Sequence, residues 1–205
     1  MMKLPRDFYK KSSLQLSQDL LGKIFVNIID GKKISCRIVE VEAYLGIEDK
    51  AAHSYRGKRT KRTEVMYGEP GLLYVFIVYG MYNCANIVAA EVGVPQAVLI
   101  RAAEPLEGME EMAIRRFNKQ YSELSEKQKI NLTNGPGKLC IAIGIDRTAN
   151  GKDLCLDNLD SLYVEEDGYK PEVVTSKRIG IDYAEEAVDL LYRFYIKDNK
   201  YVSVQ

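Results

Sequence analysis

The amino-acid sequence predicts an α+β fold in which helices surround a curved, open-barrel-like and mostly antiparallel sheet. Two hairpin signals support that sheet: Asp30-Gly31 and residues 80–83 each separate two apolar runs. Segments with helical spacing at residues 12–21 and 106–117 predict the helices. The chain has 205 residues, 46% of them apolar, and no Gly/Ser-rich linker divides it. We therefore expect a single domain over residues 1–205.

The individual elements follow from spacing and turn residues. Leucines at helical spacing predict a helix over residues 12–21, which Gly22 ends. Residues 23–29 and 34–44 predict two strands, although the second alternates less cleanly than a strand with one solvent face. Further strands are predicted over 72–79, 85–90 and 97–102, then helices over 106–117 and 139–143. Short strands around Leu154, around Leu162 and over 173–181, and a closing helix over 183–196, complete the predicted order.

Positive charge is concentrated in one half of a chain that is neutral overall. The 29 Lys and Arg balance the 29 Asp and Glu. Residues 1–102 carry 15 cationic against 10 acidic residues, whereas residues 103–205 carry 14 against 19. The excess is densest in the segment 56–62, whose cations are Arg56, Lys58, Arg59, Lys61 and Arg62. Such a run suits nucleic-acid phosphates, and an ordinary solvated loop is the alternative.

Cysteine and histidine usage argues against metal and disulfide chemistry. Cys36, Cys84, Cys140 and Cys155 are widely spaced without a Cys-x-x-Cys pair, which favours buried thiols. With a single histidine the chain offers too few ligands for a metal site, and we expect no cofactor. No apolar run approaches the roughly 18 residues of a membrane span. The sequence therefore predicts a soluble, cytoplasmic protein, associated with the nucleoid if it binds DNA.

A candidate catalytic carboxylate lies at the end of the second strand. Glu42 precedes Tyr44 by two residues, so both side chains point to the same face, and His53 follows after a short acidic loop. A carboxylate in this setting suits hydrolysis of an N-glycosidic bond, where it deprotonates water and stabilises the positive charge growing on the sugar. The alternative is a strand-end glutamate exposed at the surface.

The second hairpin is rich in aromatic residues. Tyr74 and Phe76 share one face of a strand, and Tyr79 stands at the tip beside Gly80. An exposed aromatic tip suits a wedge between stacked bases, and inward aromatics suit stacking on an extruded base. An alkylated, cationic base would gain cation-π attraction as well. Ordinary packing in the core is the alternative for Tyr74 and Phe76.

Five motifs give the chain a resemblance to a known family. They are Arg37-Ile-Val-Glu-Val-Glu-Ala-Tyr-Leu-Gly, Ala51-Ala-His-Ser, Pro70-Gly-Leu-Leu-Tyr-Val-Phe-Ile-Val-Tyr-Gly-Met-Tyr-Asn, Leu99-Ile-Arg-Ala-Ala-Glu-Pro and Gly135-Pro-Gly-Lys-Leu-Cys. In this order, over nearly the full length, they resemble the signatures of the alkyladenine (3-methyladenine) DNA glycosylases. These are monofunctional enzymes of base excision repair.

The resemblance implies a role for each matching residue. Glu42 matches the water-activating glutamate, and Arg101 matches an arginine that holds the water and the phosphate of the flipped nucleotide. Tyr79 matches the tyrosine that intercalates in place of the damaged base. The residues that match the base pocket are Tyr44 and His53 on one side, Phe76 opposite them, and Asn86, which crowds the amino group of guanine.

One pocket position departs from the family pattern. Phe76 stands where a tyrosine is expected, so stacking is retained while any hydroxyl hydrogen bond is lost. The turn at residues 134–138 leads into a short helix whose first amides suit a phosphate, and Lys138 joins the predicted contacts with the DNA backbone.

The leading interpretation is a monofunctional DNA glycosylase that acts on double-stranded DNA as a monomer. It would flip out alkylated or deaminated purines, release the base and leave an abasic site, without lyase activity. A non-catalytic module that binds damaged DNA or RNA is the alternative, because a basic patch and aromatics serve that role too. A hydrolase built on His53 and Ser54 is disfavoured, since adjacent residues align poorly as base and nucleophile and no Gly-x-Ser-x-Gly elbow is present.

Overall fold

The computed structural model describes residues 2–156 and 162–204, and within them it contains nine β-strands and five α-helices. The strands are β1 (Met2–Lys3), β2 (Ile24–Ile29), β3 (Lys32–Tyr44), β4 (Leu73–Val78), β5 (Tyr82–Ala89), β6 (Gln96–Glu107), β7 (Leu162–Glu166), β8 (Val173–Ser176) and β9 (Arg193–Ile196). The helices are α1 (Arg6–Tyr9), α2 (Ser13–Leu20), α3 (Met109–Phe117), α4 (Glu126–Ile130) and α5 (Pro136–Ile143).

All the described strands belong to one antiparallel sheet. Its order is β1-β7-β2-β3-β6-β5-β4, and β9 pairs with both β3 and β8. Within the described ranges the sheet does not close into a barrel. These findings confirm the predicted α+β class and the mostly antiparallel sheet.

The central strand β3 is covered on both faces along most of its length. Five residues of β3, which include side chains of both faces, are fully buried: Cys36, Ile38, Val39, Val41 and Ala43. Helices α2 and α3 pack against this strand. Burial on both faces is the reason that the sequence of β3 alternates so weakly.

Helix α5 packs against β5, β6 and α3. It starts at Pro136, three residues before the predicted start, and ends at Gly144, whose φ of +70° lies in the left-handed region. Proline at the first helical position loses no hydrogen bond, and glycine adopts the left-handed cap without strain.

The predicted closing helix over residues 183–196 is wrong. A single 3-10 turn occupies Glu185–Asp189, and the chain then forms strand β9. Strand β2 pairs only with the first part of β3, up to Arg37, so the edge beyond it accepts β9 beside Glu40, Val41 and Glu42. The aromatic and β-branched residues of β9 suit that edge, and tertiary pairing overrides the helical spacing.

Three smaller predictions also need correction. Helix α3 begins at Met109 and not at residue 106, because β6 continues through Glu107 and Gly108, with φ +77°, makes the turn. The predicted strand around Leu154 is a turn with an isolated bridge between Leu72 and Asp153. The strand predicted over 173–181 ends at Ser176, whereas the strand predicted at Leu162 is present as β7.

Candidate active site

A cavity of about 560 Å³ opens where the end of β3 meets β4, β5 and β6. Residues 179–183 form its opposite wall, and Pro136 of α5 borders it. The sequence-predicted residues that line it are Tyr44, His53, Phe76, Asn86, Arg101, Tyr79 and Arg62. The structure therefore brings together all the residues predicted for the base pocket.

Three residues that line the cavity, Tyr74, Asn86 and Leu99, lie in one row across the sheet with Glu42. Glu42 of β3 pairs with Leu99 of β6, Leu99 with Asn86 of β5, and Asn86 with Tyr74 of β4. Residues that oppose each other in an antiparallel sheet point to the same face. Strand register alone therefore places the carboxylate, the amide and the aromatic ring on one surface.

Glu42 is fully buried and has three hydrogen-bonding or ionic partners. Its Oε1 accepts from the backbone N–H of Ile179 at 2.7 Å and lies 3.3 Å from Nη1 of Arg101. Its Oε2 accepts from the Tyr44 hydroxyl at 2.9 Å. The carboxylate is thus held in place from three separate segments of the chain.

Burial sets the proton affinity of this carboxyl. Removal from water raises the pKa of Glu42 above its ordinary value, and the partly opposing effects of Arg101, the Ile179 N–H and Tyr44 do not cancel that rise. Burial and the Glu42 charge likewise raise the pKa of Tyr44. Tyr44 therefore stays protonated and donates its hydrogen bond to Glu42 over the physiological range.

A double irregularity in the sheet directs Arg101 towards Glu42. Glu40 of β3 pairs with Ala102 of β6, and the next residue, Val41, pairs with Ile100. The pairing therefore skips Arg101, which has no opposite partner. Such bulges bend a strand and re-aim one side chain. Arg101 is 8% exposed and borders the cavity, and its guanidinium lies beside two buried carboxylates, Glu40 and Glu42.

His53 forms the centre of an aromatic wall. Its Nδ1 lies 2.9 Å from the Tyr74 hydroxyl, and its ring meets that of Phe76 edge-on at 4.5 Å. Arg62 donates from Nη2 towards His53 Nε2 at 3.1 Å and places its guanidinium 5.1 Å from the Phe76 ring centre. Burial, with Arg62 and Lys58 nearby, lowers the pKa of His53 to about 4, so the ring is neutral at physiological pH.

Asn86 is fixed against the backbone of the second hairpin. Its Nδ2 donates to the carbonyl oxygens of Tyr74 at 3.1 Å and Cys84 at 3.4 Å, and the residue is 3% exposed. A side chain held on both sides by backbone cannot easily move away from a ligand. Asn86 is therefore a rigid part of the cavity wall.

Tyr79 stands at the tip of the β4–β5 hairpin and is 87% exposed. Tyr79 and Gly80 both have positive φ, and Met81 N donates to Val78 O at 3.2 Å, which is the geometry of a type I′ turn. The turn spans residues 79–81, so Tyr82 belongs to β5 and not to the turn as predicted. A tyrosine in left-handed backbone costs about 1 kcal/mol, so this tip presents its ring at the expense of stability.

The predicted DNA-backbone residues do not all face solvent freely. All five cations of the segment 56–62 are exposed, but Arg59 pairs with Glu64 at 2.6 Å and Arg62 turns into the cavity. Lys138 is half-buried, where it donates to Asn131 and Asn134 at 2.8 and 2.9 Å. Arg56, Lys58 and Lys61 are consequently the best placed of this set to bind phosphates.

Four residues of the site were missed by the sequence reasoning. Glu40 has a local signal, because it precedes Glu42 by two residues on the same strand. Arg178, Ile179 and Arg193 reach Glu42 or its neighbours from more than 130 positions away. Nothing in their local sequence marks them.

The structure weighs against a hydrolase built on His53 and Ser54. The Ser54 hydroxyl is fully buried and donates to the Pro95 carbonyl at 3.1 Å, whereas the His53 ring contacts Tyr74, Phe76 and Arg62. Over residues 2–156 and 162–204, no group of three or more His, Cys, Asp or Glu is arranged to hold a metal ion. Among the same residues, none of the helices has the length and apolar character needed to cross a membrane.

Known proteins are similar to this chain over nearly its full length. A family described as methylpurine-DNA glycosylase matches residues 7–200. A protein of Desulfitobacterium hafniense (strain Y51), named "Putative 3-methyladenine DNA glycosylase", is 59% identical over 206 residues and covers 100% of both chains. Proteins with the same name from Alkaliphilus oremlandii (strain OhILAs) and Clostridium novyi (strain NT) are 55% and 54% identical, covering 98% and 99% of this chain and 99% of each relative.

Proposed function

The chain belongs to the methylpurine-DNA glycosylase family, and on that premise we propose that it removes alkylated or deaminated purines, 3-methyladenine among them, from double-stranded DNA. In the proposed reaction Glu42 activates a water molecule that hydrolyses the N-glycosidic bond. The observation that carries the proposal is a buried carboxylate of raised pKa beside an aromatic cavity large enough to hold a nucleobase.

The chemistry assigns a step to each group. Glu42 takes a proton from water as the oxygen attacks C1′, and its negative charge stabilises the cationic sugar in the transition state. The bond electrons pass to the departing base. A purine alkylated on a ring nitrogen is cationic and leaves as a neutral molecule, so its departure needs no acid. A deaminated purine is neutral and leaves as an anion, which takes a proton from solvent water.

Access of water to Glu42 requires a small side-chain movement. Glu42 itself is fully buried, whereas its partners Tyr44 and Arg101 both border the cavity. Displacement of either one opens a path from the cavity to the carboxylate. Binding of a flipped nucleotide, whose phosphate attracts a guanidinium, supplies a reason for Arg101 to move.

The base pocket combines stacking with exclusion. The His53 and Phe76 rings and the Tyr44 ring supply aromatic surfaces, while the fixed amide of Asn86 restricts the exocyclic groups that fit. Phe76 lacks a hydroxyl, so recognition at this position depends on stacking and shape. Alkylated, cationic purines gain most from such surfaces because of cation-π attraction.

The experiment that tests the proposal measures base release from duplexes that each contain one lesion: a methylated purine, hypoxanthine or ethenoadenine. We expect release of the free base and accumulation of an intact strand with an abasic site. Binding to these duplexes without release of any base would contradict the proposal and support the non-catalytic alternative. Strand scission without added alkali would contradict the monofunctional mechanism.

Tyr79→Ser should slow excision from fully paired duplex by about tenfold or more. The ring is the most exposed apolar group at the hairpin tip, and without it nothing from this side chain fills the gap left by a flipped base. The measurement is single-turnover excision of a lesion that is paired normally and of the same lesion in single-stranded DNA, where flipping costs least. Val92→Ser, which removes another exposed apolar side chain from a different turn, is the matched control. Equal losses on both substrates would argue against a wedge.

Replacement of Lys58 and Lys61 by alanine should weaken DNA binding similarly for all sequences. Both lysines are exposed in the basic segment. For each removed cation that neutralises one phosphate, the slope of log K against log salt concentration should become smaller by about 0.9. Titrations at several salt concentrations measure that slope. The double replacement of Lys32 and Lys197, which changes the charge equally on other parts of the surface, is the control. A slope that matches the parent would remove this segment from the DNA interface.

A further inference from the structure

A second carboxylate, Glu40, is buried as completely as Glu42 and lies two residues before it on β3. Its Oε1 accepts from Arg101 Nε at 3.1 Å, from Arg193 Nε at 2.8 Å and from the Ser203 hydroxyl at 2.9 Å. Its Oε2 accepts from the Ser203 backbone N–H at 2.7 Å. Four donors from three segments of the chain therefore converge on this one side chain.

Arg101 lies between the two carboxylates and presents a different edge to each. Glu40 takes the Nε–H, and Glu42 lies 3.3 Å from Nη1. A guanidinium is planar, so a hydrogen bond at Nε fixes the plane and with it the direction of both Nη groups. Glu40 thereby determines how closely Arg101 approaches Glu42.

Arg193 and Ser203 keep Glu40 in that position. Arg193 lies opposite Glu42 in the β3–β9 ladder, yet its Nε donates to Glu40, and its Nη2 donates to the carbonyl of Val204. Ser203 holds both oxygens of the carboxylate. The segment at residues 203–204 is thus connected to Arg101 through a single intermediate, Glu40.

We infer that Glu40, held by Arg193 and Ser203, is a positioning residue that restrains Arg101 and so preserves the basicity of Glu42 for the excision reaction. The inference rests on the proposed role of Glu42 as the general base. Without Glu40, Arg101 is free to pair fully with Glu42. A fully paired carboxylate is a weaker base and holds its water less well.

Several other ionisable groups surround Glu42 and remain unchanged in the test. They are Tyr44 on β3, Cys84 on β5, Arg101 on β6, Arg193 on β9, and Arg178 and Tyr183 in the segment between β8 and β9, with Asp49 paired to Arg178. Asp49 is the carboxyl group in this set, and Arg178 already binds both of its oxygens. Glu40 is therefore the negative charge that acts on Glu42 and Arg101 together.

A purely structural role for this network makes a different prediction. Buried ion pairs often stabilise little relative to apolar packing, and their loss lowers stability without a specific effect on a neighbouring base. The two roles separate in the pH dependence of excision. Loss of the Glu40 charge removes a contribution that raises the pKa of Glu42. The pH below which excision is lost should then be lower, and the maximal excision rate at higher pH should fall.

The experiment compares Glu40→Gln, Glu40→Asp and the parent by single-turnover excision across pH on a methylated-purine duplex. We expect Glu40→Gln to lower the plateau by about 10²-fold, as small misplacements of catalytic groups do, and to shift the acid limb downwards. Duplex affinity should stay within about twofold. Glu40→Asp restores the charge and should recover part of the rate and the original limb. Glu165→Gln, a buried carboxylate paired with Lys33 on the far side of β2, is the control.

The outcomes distinguish this inference from the proposed function. A parent that releases no base overturns both. If the parent is active and Glu40→Gln has the same pH profile and excision rate as Glu165→Gln, the positioning role alone is overturned. If Glu40→Gln does not fold, Ser203→Ala keeps the charge and removes one hydrogen bond. Ser203→Ala should then lower the excision rate by about three- to tenfold and shift the acid limb less than Glu40→Gln does. An unchanged rate and an unchanged pH profile would overturn the inference.

Discussion

Glu42→Gln is expected to slow base release by about 10²- to 10⁴-fold while the protein still binds duplex DNA. Glutamine keeps the size of the side chain, its amide oxygen can still accept from the Ile179 N–H, and its amide N–H can donate to the Tyr44 hydroxyl oxygen, so the fold around it should persist. It cannot take a proton from water, and it carries no negative charge to stabilise the cationic sugar. Single-turnover excision beside a binding titration separates the two effects.

The pH dependence of the parent gives the same prediction a second test. The reaction needs ionised Glu42, so excision should be lost as pH falls through a pKa that burial has raised above the ordinary glutamate value. His53 does not account for this limb, because its own pKa is lowered to about 4, whereas the pKa of Glu42 is raised. Any residual activity of Glu42→Gln should lack the limb.

Glu48→Gln is the matched control for Glu42→Gln. It alters an exposed carboxyl in the loop that directly follows β3, and it should leave both rate and pH profile unchanged. A Glu42→Gln variant that excises within a few-fold of the parent would remove Glu42 from the mechanism. Loss of DNA binding together with excision would instead point to a damaged fold.

Arg178→Met should lower the free energy of unfolding by about 3–5 kcal/mol, the largest stability effect expected from one side chain here. Arg178 and Asp49 are 0% and 1% exposed in their side chains, and two hydrogen bonds of 2.6 and 2.8 Å join them. The guanidinium also donates to the Ala43 carbonyl and stacks 4.9 Å from the Tyr44 ring centre. Methionine fills similar volume but leaves the Asp49 charge buried without its cation.

Urea unfolding measures the effect, and Arg59→Met is the control. The pair of Arg59 with Glu64 has the same chemistry, but both side chains are 56% exposed, so its loss should cost about 0–1 kcal/mol. Equal losses in the two variants would contradict a special role for the buried pair. Since residue 179 donates its N–H to Glu42, Arg178→Met should also slow excision at temperatures where the protein remains folded.

The sheet shows which parts of the fold local sequence can predict. Both hairpins form within a few residues, and the turn at Asp30-Gly31 was predicted correctly. The second turn was predicted at residues 80–83, whereas it lies at Tyr79-Gly80. The same spacing rule predicts that Glu42 shares a face with Tyr44 and that Tyr74 shares a face with Phe76, and all four lie at or beside the cavity. Their catalytic and recognition roles remain predictions.

Where prediction failed, a distant partner decided the structure. Residues 193–196 become a strand because β3 has an open edge beside Glu40 and Glu42, a fact that the local sequence does not contain. Arg62 belongs to a cationic run that predicts phosphate binding, yet it turns towards His53 and Phe76 because an aromatic cavity lies within reach. Spacing along the chain carries no information about either interaction.

The sequence by itself determined the α+β class, the antiparallel hairpins, the carboxylate at the strand end and the aromatic hairpin, because each depends on residues close together in the chain. The tertiary structure decided the environment of that carboxylate. Ile179 reaches Glu42 across 137 positions, and Arg193 and Ser203 reach Glu40 across 153 and 163. The proton affinity of Glu42 depends on burial and on partners such as Arg101 and the Ile179 N–H. It is therefore a property of the folded protein and cannot be derived from any local motif.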